Sequence, residues 1–453
     1  MLLRHHSSRH TVSDACARLC AAAVFTILLF PTLGRASGIF TDGASARSQA
    51  LGGAAVAGHG DVLEALSANP AALSMVRRPR LEVGGSAGWL DAEFRNRTND
   101  NAKLHDFGIL PAGALGGTFG PLSLGLGVIS DAGLRADWRY RDTPGGLDGA
   151  TIYGERTHSS ELALIRFALG ASYAITPKLS VGASAGLLYN RNRLQAPYII
   201  QTQPQLAGAK TLLDLETDGW GWNAQFGVLW RPLENLRLGL SYTLPARLRT
   251  EGRATSDAGV QLANLGVRGV DATTDFDAEV TNEFPQIVSA GFAWRIVPRL
   301  EVTAQVDWIN WAGAFDTLEV RLRDTDSELY RALLAGSDDL NDDIPLDWRD
   351  QWVIRAGVEY QVTDHLAVRA GYRYARNPVP GETLTPLTAA ISEHILSAGL
   401  GYRRGPLTCD LAYQYALPNT EHVGTSRLLA GEYSDSSVEV AVQWLTLTVG
   451  VEF

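Results

Sequence analysis

The stretch Gly43–Met75 reads GASARSQALGGAAVAGHGDVLEALSANPAALSM and differs from almost everything that follows Pro79. It lacks the apolar–polar alternation of a β-strand, and most of its side chains are small, so its backbone can pack closely against surrounding structure. Its sharpest feature is Asn69-Pro70-Ala71, because Asn is a favoured N-cap and Pro suits the first helical position. On these residues alone, the stretch is either an ordinary loop with one capped turn or a plug inside a larger structure.

Upstream, residues 1–36 have the parts of a cleaved secretion signal. Basic residues near the start precede the apolar run Ala21–Phe30, and small residues surround Ala36. The run is too short to span a membrane, so the segment predicts secretion rather than anchoring. Two of the three cysteines leave with the signal, and Cys409 then has no partner for an internal disulfide.

The whole chain is acidic, with a formal net charge of −10, which argues against nucleic acid as a partner. No Pro/Ser-rich linker divides the sequence. No long apolar run follows the signal, so no membrane-spanning helix is predicted. We therefore expect one domain, in which strands dominate after Pro79.

Downstream, side chains alternate between apolar and polar with period two, which is typical of half-buried β-strands. In the last segment, Leu447, Val449 and Val451 share one face, and Thr446 and Thr448 share the other. We expect the apolar face to contact lipid and the threonine face to line a lumen. A soluble β-sandwich would alternate in the same way, so alternation alone does not decide between the two.

Three further features favour a membrane barrel. The strands are about ten residues long or more, which suits a strand tilted in a membrane. Connections alternate between tight turns and long polar loops. Aromatic residues lie near strand ends, as expected at two membrane–water interfaces. They are Trp222, Trp230, Trp294, Trp308, Trp352 and Tyr360.

The connections set the strand count. The tight turns are 119–121, 176–178, 232–235, 297–299, 363–365 and 404–406. The long loops are about 97–105, 131–158, 195–217, 250–274, 324–349, 377–392 and 418–436. Six turns and seven loops join fourteen strands, and an even count is the rule for single-chain outer-membrane barrels. Short turns would then face the periplasm and long loops the outside.

Several motifs carry a family resemblance. Asn69-Pro70-Ala71 is followed by Phe284-Pro285-Gln286, by Asp307–Trp311 with its paired Trp, and by Arg376–Pro380 with Pro-Val-Pro. Together they resemble the FadL family, also called the TodX-type family, of outer-membrane transporters for long-chain fatty acids and other hydrophobic compounds. The resemblance implies an all-β fold, a 14-stranded antiparallel transmembrane β-barrel plugged by an N-terminal hatch. It divides the chain into a signal peptide at 1–36, the hatch at 37–79 and the barrel at 80–453.

The resemblance also implies a mechanism and partners. Substrate is captured by an apolar groove among extracellular loops, enters a pocket in the barrel and leaves sideways where a strand kinks beside the hatch. A fatty acid gains about 0.8 kcal/mol per buried methylene, so an apolar route suits it better than a wet pore. The expected partners are the hydrophobic substrate, outer-membrane lipid with lipopolysaccharide, and the barrel assembly machinery, whose signal the C-terminal Phe453 resembles. No cofactor is implied, and we expect a monomer in the bacterial outer membrane.

Four residues are candidates for contact with substrate. The family places a Phe near the mature N-terminus against bound ligand, and Phe40 matches it, whereas the alternative is a frayed terminus. Arg355, Arg369 and Arg373 fall on lumen-facing positions of neighbouring strands and could hold a carboxylate. The alternative, which we favour because polar lumens are normal in barrels, is a structural ion-pair lattice with lumen-facing acids. Those acids are Glu301, Asp307 and Glu359.

Gly125 and Gly127 are candidates for the opening in the wall. They should lie on the lumen face of the third strand with Ser123 and Ile129, because leucines alternate with them. Glycine inside a strand weakens it and often marks a bend or the close approach of another backbone. The alternative is that small lumen residues simply make room for the hatch.

No catalytic or metal-binding constellation stands out, so the chain is not expected to be an enzyme. The histidines are scattered, and no Ser/His/Asp arrangement or phosphate loop is visible. The acidic loop 324–349 lacks EF-hand spacing, so a solvated loop is favoured over a Ca²⁺ site. A barrel lipase would need an acid–base site at the rim. An adhesin or structural barrel, in which the hatch would be dispensable, stays open as the other alternative.

Overall fold

The computed structural model describes residues 41–453, so the predicted signal peptide and Phe40 lie outside the described residues. These residues form one antiparallel sheet of eighteen strand segments, which closes because β1 pairs with both β2 and β18. The segments are β1 Arg80–Arg95, β2 Ala102–Phe119, β3 Leu122–Arg141, β4 Glu155–Thr176, β5 Leu179–Ile199, β6 Lys210–Leu233, β7 Leu236–Thr243, β8 Ala246–Asp257, β9 Thr273–Phe284, β10 Ile287–Val297, β11 Leu300–Ile309, β12 Thr317–Arg323, β13 Leu340–Pro345, β14 Gln351–Gln361, β15 Leu366–Ala375, β16 His394–Arg404, β17 Leu407–Val423 and β18 Ser436–Glu452.

Four strands of the barrel are interrupted, which reconciles eighteen segments with fourteen strands. β7 and β8 are parts of one strand that breaks at Leu244-Pro245, and β9 and β10 break at Pro285-Gln286. Proline cannot donate to the hydrogen-bond ladder, so it suits such breaks. β11 continues into β12, and β13 into β14, across short irregular stretches. The prediction of a fourteen-stranded antiparallel barrel is therefore confirmed.

The six predicted tight turns lie together at one rim of the barrel, which we call the turn end. Neighbouring turns are joined by backbone hydrogen bonds, for example from Arg231 N to Lys178 O (2.7 Å) and from Arg403 N to His365 O (2.8 Å). The opposite rim, which we call the loop end, carries the long connections. The strand topology that the alternation of short and long connections predicts is thus confirmed.

The inward and outward faces of the last strand are as predicted. In β18, Thr446 and Thr448 are 1 % and 5 % exposed, whereas Leu447 is 47 % exposed on the outer face. In β3, Ser123 is buried in the lumen and Leu126 is exposed on the outside. The lumen face is therefore polar or small, and the outer face is apolar.

The predicted loops at 131–158 and 195–217 are wrong in extent, because strands continue far into them. β3 runs on to Arg141, and β5 and β6 extend similarly. The outward side chains of these extensions are charged, as in the Arg191–Glu216 ion pair. Charged outward residues hide the apolar alternation by which a membrane strand is recognised, so the extensions resemble loops in the sequence.

The strand breaks mark the level at which the apolar outer face ends. Toward the turn end, outward side chains are apolar, and Leu240, Phe292 and Ile354 are exposed. Toward the loop end, outward side chains are charged, and Arg249 pairs with Glu279 at 3.0 Å. An apolar outer band is the surface that faces lipid in a membrane barrel, so the charged extensions project beyond it.

The N-terminal segment lies inside the barrel. We define the hatch segment as residues 41–79, the described part of the predicted hatch. Among residues 41–453 the helices are α1 Ala46–Ala50, α2 Val62–Ser67, α3 Gly259–Asn264 and α4 Glu328–Leu333, with 3₁₀ helices at Pro70–Met75, Trp311–Gly313 and Leu429–Gly431. Within the hatch segment, α1 packs on β15–β18, α2 on β1–β4 and the first 3₁₀ helix on β2–β6. No helix among the described residues is long and apolar enough to cross a membrane.

Candidate functional site

Asn69 fastens the hatch segment to the wall as well as capping a turn. Its Oδ1 accepts from Ala71 N at 3.0 Å, while its Nδ2 donates to Val56 O at 2.7 Å and to Val228 O of β6 at 3.0 Å. Asn69 is fully buried, and Pro70 occupies the first position of the 3₁₀ helix. The side chain of Asn69 therefore joins two parts of the hatch segment to one wall strand.

Glycines of the wall make room for this motif. A Cβ atom at Gly182 would meet the backbone of Ala71, and one at Gly227 would meet the side chain of Asn69. Ser172 Oγ of β4 donates to Ala71 O at 3.0 Å. Sequence reasoning missed both glycines, because glycines are frequent throughout the strand series and nothing local distinguishes these two.

Gly125 and Gly127 also face the hatch segment. A Cβ atom at Gly125 would lie 2.8 Å from Leu73 Cδ2, and one at Gly127 would lie 3.0 Å from Leu66 Cδ1. Both glycines lie where β3 is paired with β2 on one side and β4 on the other. They belong to a closed part of the wall, and their missing side chains leave space for the hatch segment.

The lumen arginines of β14 and β15 are paired with carboxylates. Arg355 Nη1 lies 2.8 Å from Asp42 Oδ1, and its Nε lies 2.7 Å from Asp307 Oδ2. Arg373 Nε lies 3.1 Å from Asp42 Oδ1. Because Asp42 belongs to the hatch segment, its pairs with Arg355 and Arg373 tie that segment to β14 and β15.

A second group of ion pairs continues the lattice around Glu359. Arg369 Nε lies 2.6 Å from Glu359 Oε2, and its Nη1 lies 2.6 Å from Asp410 Oδ1. Arg47 of α1 donates to both oxygens of Glu359 at 3.0 Å. Each of the three candidate arginines thus has a carboxylate partner within the protein.

An apolar cavity lies among the strand extensions at the loop end, and we call it the upper cavity. Its volume is about 190 Å³. Most of the side chains around it are apolar, and they include Leu134, Leu162, Leu194, Phe315, Leu318 and Trp348. Concave, mostly apolar sites with a few polar groups are the usual binding sites for small molecules.

The connection 377–392 folds into the barrel and forms one side of the upper cavity. Leu384 and Ile391 of this connection are fully buried. Trp138 Nε1 of β3 donates to Pro386 O at 3.1 Å, which holds the connection against the wall. The Pro-Val-Pro motif marks this stretch in the sequence, but its inward course depends on contacts that the sequence does not show.

A buried lysine, which we call the Lys210 clasp, fastens the loop end beside the upper cavity. The side chain of Lys210 is fully buried, and its Nζ lies 2.6 Å from Asp142 Oδ1 and 2.7 Å from Glu432 Oε1. One cation between two carboxylates leaves one negative charge without compensation. Burial accordingly raises the pKa of Glu432 to about 7, although Lys210 acts in the opposite direction. Glu432 also lines the upper cavity.

A second cavity, the lower cavity, lies between the hatch segment and the wall, and Thr41 is among its lining residues. It follows the upper cavity along the lumen, because successive inward residues of one strand line the two. On β4, Leu162 lines the upper cavity and Leu164 the lower. On β9, Asn282 lines the upper cavity and Phe284 the lower.

β2 and β3 part beside the lower cavity. They are paired from the turn between them up to Ala112 and Ile129, and no pairing between them continues above these residues in the described chain. A β-bulge between Ser130 and Ala132 bends β3 at this point. Near the loop end, Asn99 Nδ2 donates to Arg141 O at 2.8 Å. The wall therefore contains a slit that is closed at both ends, the β2–β3 slit.

The bulged residue Asp131 lies at the base of the slit and lines the lower cavity. Its carbonyl oxygen accepts from Thr41 N at 3.0 Å. Its carboxylate is held by Arg166 of β4 through bonds of 2.6 Å and 2.9 Å, and Arg166 Nη1 also donates to Leu66 O at 3.1 Å. The hatch segment, the bulge and β4 thus meet at one point.

The remaining sequence candidates are Phe40 and the acidic stretch 324–349. Phe40 lies outside the described residues. In the acidic stretch 324–349, Asp342 of β13 accepts from the backbone N–H groups of Gln201 and Thr202 at 3.0 Å and 2.5 Å, which ties the connection after β5 to β13. No group of three or more His, Cys, Asp or Glu residues in 41–453 is placed to hold a metal ion.

Comparison with known proteins gives a match over nearly the whole chain. The family model described as outer membrane protein transport protein (OMPP1/FadL/TodX) matches residues 28–453. A long-chain fatty acid transport protein of Salmonella typhi is 20 % identical over 363 residues, which cover 74 % of this chain and 77 % of that protein.

Solved structures share the same fold. The crystal structure of the Pseudomonas putida toluene transporter TodX has a TM-score of 0.72 at 21 % identity and covers 92 % of this chain and 99 % of its own. The crystal structure of a Pseudomonas aeruginosa FadL homologue has a TM-score of 0.72 at 16 % identity, with coverages of 92 % and 100 %. At these identities, the likeness establishes the barrel architecture.

Proposed function

Because this chain belongs to the outer membrane transport protein family OMPP1/FadL/TodX, we propose that it takes up long-chain fatty acids or other hydrophobic small molecules through the upper and lower cavities and the β2–β3 slit. The family consists of outer-membrane transport proteins for hydrophobic compounds, which confirms the predicted location and a transporter rather than an enzyme. The relatives from Salmonella typhi and Pseudomonas putida are named for fatty acids and toluene. Both compounds therefore belong to the candidate substrate class.

The chemistry of the upper cavity supports its proposed role in capture. Apolar surface that moves from water into an apolar site gains roughly 25 cal/mol per Å². The upper cavity lies at the loop end, which substrate reaches first from outside. From there the lower cavity is the next space along the lumen, since Leu162 and Leu164 of one strand line the two in turn.

The proposed exit of the substrate is based on the β2–β3 slit. Its base at Asp131 borders the lower cavity, so a ligand there lies beside an unpaired part of the wall. Straight passage to the turn end is disfavoured, because the cavity beneath the hatch segment is lined by charged side chains such as Arg47, Glu301 and Arg369. An apolar ligand that leaves through the slit enters lipid without passing these charges.

The other predicted site residues take positions around this route. We propose that Asn69-Pro70-Ala71 and the arginines Arg355, Arg369 and Arg373 hold the hatch segment in place, since they join it to the wall or belong to the lattice that does. We propose that Gly125 and Gly127 seat the hatch segment, while the opening lies further along β3. A ligand contact by Phe40 stays a proposal, supported by the place of its neighbour Thr41 beside the lower cavity.

Deletion of Asp131 tests the exit. A bulge is one extra residue, so its removal gives β3 a regular register with β4 and removes the bend. We expect the straightened strand to pair with β2 beyond Ile129, which closes the slit. The control is Asp131→Asn, which keeps the bulge and changes only the carboxylate. Uptake is measured in a deletion strain with radiolabelled fatty acids and toluene, and folding by heat-modifiable migration on a gel. We expect a folded deletion variant that binds but does not deliver substrate, and normal uptake by that variant would overturn lateral exit.

The adhesin alternative and the remaining partners are tested by purification. Bound fatty acid, hydrocarbon or detergent inside the purified barrel favours transport, whereas an empty lumen and normal growth without the hatch favour an adhesin or structural barrel. A monomeric state, contact with lipopolysaccharide and recognition of Phe453 by the barrel assembly machinery are also proposals. Detergent-free native mass spectrometry distinguishes the monomer from higher oligomers and identifies retained lipid.

A further inference from the structure

A cluster of asparagine and threonine side chains lies at the lower edge of the mostly apolar upper cavity. We call it the asparagine collar, and its members are Asn190 and Asn192 of β5, Thr217 of β6, Thr250 of β8 and Asn282 of β9. The three asparagines are 0 %, 7 % and 3 % exposed. Burying an amide group costs free energy unless the group is hydrogen-bonded, so each amide nitrogen and oxygen of the cluster is expected to have a partner.

The collar is held together by its own hydrogen bonds. Asn282 Nδ2 donates to Asn190 Oδ1 at 2.8 Å and to Asn192 Oδ1 at 2.9 Å. Asn192 Nδ2 donates to Thr250 Oγ1 at 2.9 Å and to Thr217 Oγ1 at 3.2 Å. These bonds fix which end of each amide is nitrogen, because every contact pairs a nitrogen with an oxygen.

One oxygen of the collar is left over. The amide oxygens of Asn190 and Asn192 each accept from Asn282, and Asn190 Nδ2 donates to Ala163 O at 2.9 Å. Asn282 Oδ1 accepts no hydrogen bond from another described residue. The two bonds that Asn282 Nδ2 donates to Asn190 and Asn192 hold the side chain in place. Asn282 Oδ1 is therefore an acceptor in a fixed position.

The collar lies between the two cavities. Asn192 and Asn282 line the upper cavity, and the next inward residue of β9, Phe284, lines the lower cavity. On β5, Asn190 follows Leu188, which lines the lower cavity. A molecule that moves from the upper to the lower cavity along this wall therefore passes the collar.

We propose that the asparagine collar is a recognition site for the hydroxyl group of a neutral amphiphile, such as a long-chain alcohol or a phenol, with Asn282 Oδ1 as the acceptor. The proposal rests on the proposed transport function and adds the chemical class of the substrate to it. An acceptor without a donor in a mostly apolar cavity favours a ligand that brings a donor to this point. A carboxylate brings only acceptors, so its oxygens would be repelled at this point.

A matched pair of ligands tests the acceptor on the unchanged protein. 1-Dodecanol and methyl undecyl ether are isomers with the same number of carbon atoms, but only the alcohol donates a hydrogen bond. One hydrogen bond contributes about 1 kcal/mol, so the alcohol should bind about 5-fold more tightly, as measured by calorimetry or by displacement of a fluorescent ligand. Equal affinities for the pair would overturn the proposal without touching the transport function, which fails only if neither ligand nor any hydrocarbon binds.

The double variant Asn192→Leu/Asn282→Leu tests whether the collar is responsible for the preference for alcohol over ether. Leucine resembles asparagine in size, and with both changes no amide oxygen of the collar lines the upper cavity. The variant should bind alcohol and ether with equal affinity, and heat-modifiable migration on a gel should show that it is folded. Asn235→Leu at the turn end is the control and should keep the 5-fold preference. A double variant that retains the preference would show that another group is the acceptor.

Discussion

Thr41 N donates to the carbonyl oxygen of Asp131 at 3.0 Å, at the residue where β3 bulges and parts from β2. In an unbroken sheet, a neighbouring strand would supply this donor. Thr41 Oγ1 adds longer contacts of 3.4 Å to Ser130 O and Asp131 O. The base of the β2–β3 slit is therefore held by the hatch segment rather than by the wall alone.

Thr41→Pro should loosen this point, because proline has no N–H to donate. The lost hydrogen bond is worth about 1 kcal/mol, which is enough to change a local equilibrium but not to unfold a barrel. We expect normal heat-modifiable migration and altered delivery of hydrophobic substrate to the periplasm. Thr41→Ser keeps both donors and should behave as the unchanged protein. Identical delivery by the Pro and Ser variants would mean that the Thr41 bond has no role in the exit.

Asn69→Ala should release the hatch segment while the barrel stays folded. The lost cap costs about 1 kcal/mol, and the loss of two further bonds, to Val56 O and Val228 O, adds to this. Leakage of small polar solutes into proteoliposomes should rise, while migration on a gel stays heat-modifiable. Asn341→Ala, on an exposed residue at the loop end, is the control. Failure of the Asn69→Ala barrel to assemble would show that the motif is needed for folding.

Val449→Arg should lower the stability of the barrel, whereas Thr448→Arg should displace part of the hatch segment. Val449 lies on the outer face, where arginine costs about 2–4 kcal/mol near mid-bilayer and less near an interface. Thr448 is 5 % exposed, and its Oγ1 accepts from Ala46 N at 2.9 Å, so arginine there should displace α1 and leave the barrel assembled. Folding titrations with urea measure the first effect, and protease cleavage of the hatch segment the second. Equal losses of barrel stability would contradict the register of β18.

Gly125→Val should disturb the hatch segment rather than the slit. The first atom of the new side chain would meet Leu73 Cδ2 at 2.8 Å and Val62 Cγ1 at 3.4 Å. We expect more solute leakage with a folded barrel. Gly424→Val is a suitable control, because a Cβ atom at Gly424 would meet nothing within 4 Å. Slow delivery of hydrophobic substrate without leakage would instead make Gly125 part of the exit.

The loop end should open more easily as the pH rises from about 4.5 to about 7. Glu432 has an ordinary pKa near 4.5 when the loops are open, and burial raises its pKa to about 7 in the closed state. Opening therefore releases a proton in this range, so the closed state loses stability as the pH rises, by up to about 3 kcal/mol. Hydrogen exchange of residues 424–435 at pH 5 and pH 8 measures the effect. Glu432→Gln should remove this pH dependence, and a variant with unchanged pH dependence would assign it elsewhere.

The sequence predicts the part of the barrel that lipid surrounds better than the part outside it. The alternation of Leu447 and Thr448 follows from contact with lipid on one side and a polar lumen on the other, and the structure confirms it. Beyond the membrane, the pattern is inverted, since Arg249 points outward and Leu248 is fully buried inside. Strands of this kind resemble polar loops when membrane strands are sought.

The features of the candidate site are harder to predict, because they depend on pairing between distant residues. Asp131 is a bulge only relative to β4, and the sequence of β3 alone does not show which residue is extra. Arg355 could meet a substrate carboxylate or Asp42, and only the position of the hatch segment decides between them. The asparagine collar combines residues from β5, β6, β8 and β9, whose alignment depends on three separate registers.

The contacts of the hatch segment impose an order on assembly. The segment precedes β1 in the chain, yet Ala46 contacts Thr448 of β18, the last strand to be synthesised, and Arg47 is paired with Glu359 of β14. These contacts can form only when β14 and β18 are in place. The hatch segment therefore reaches its final position late, although it leads the chain. A chain that stalls before β18 would present its most N-terminal segment, rather than its last strand, to periplasmic proteases.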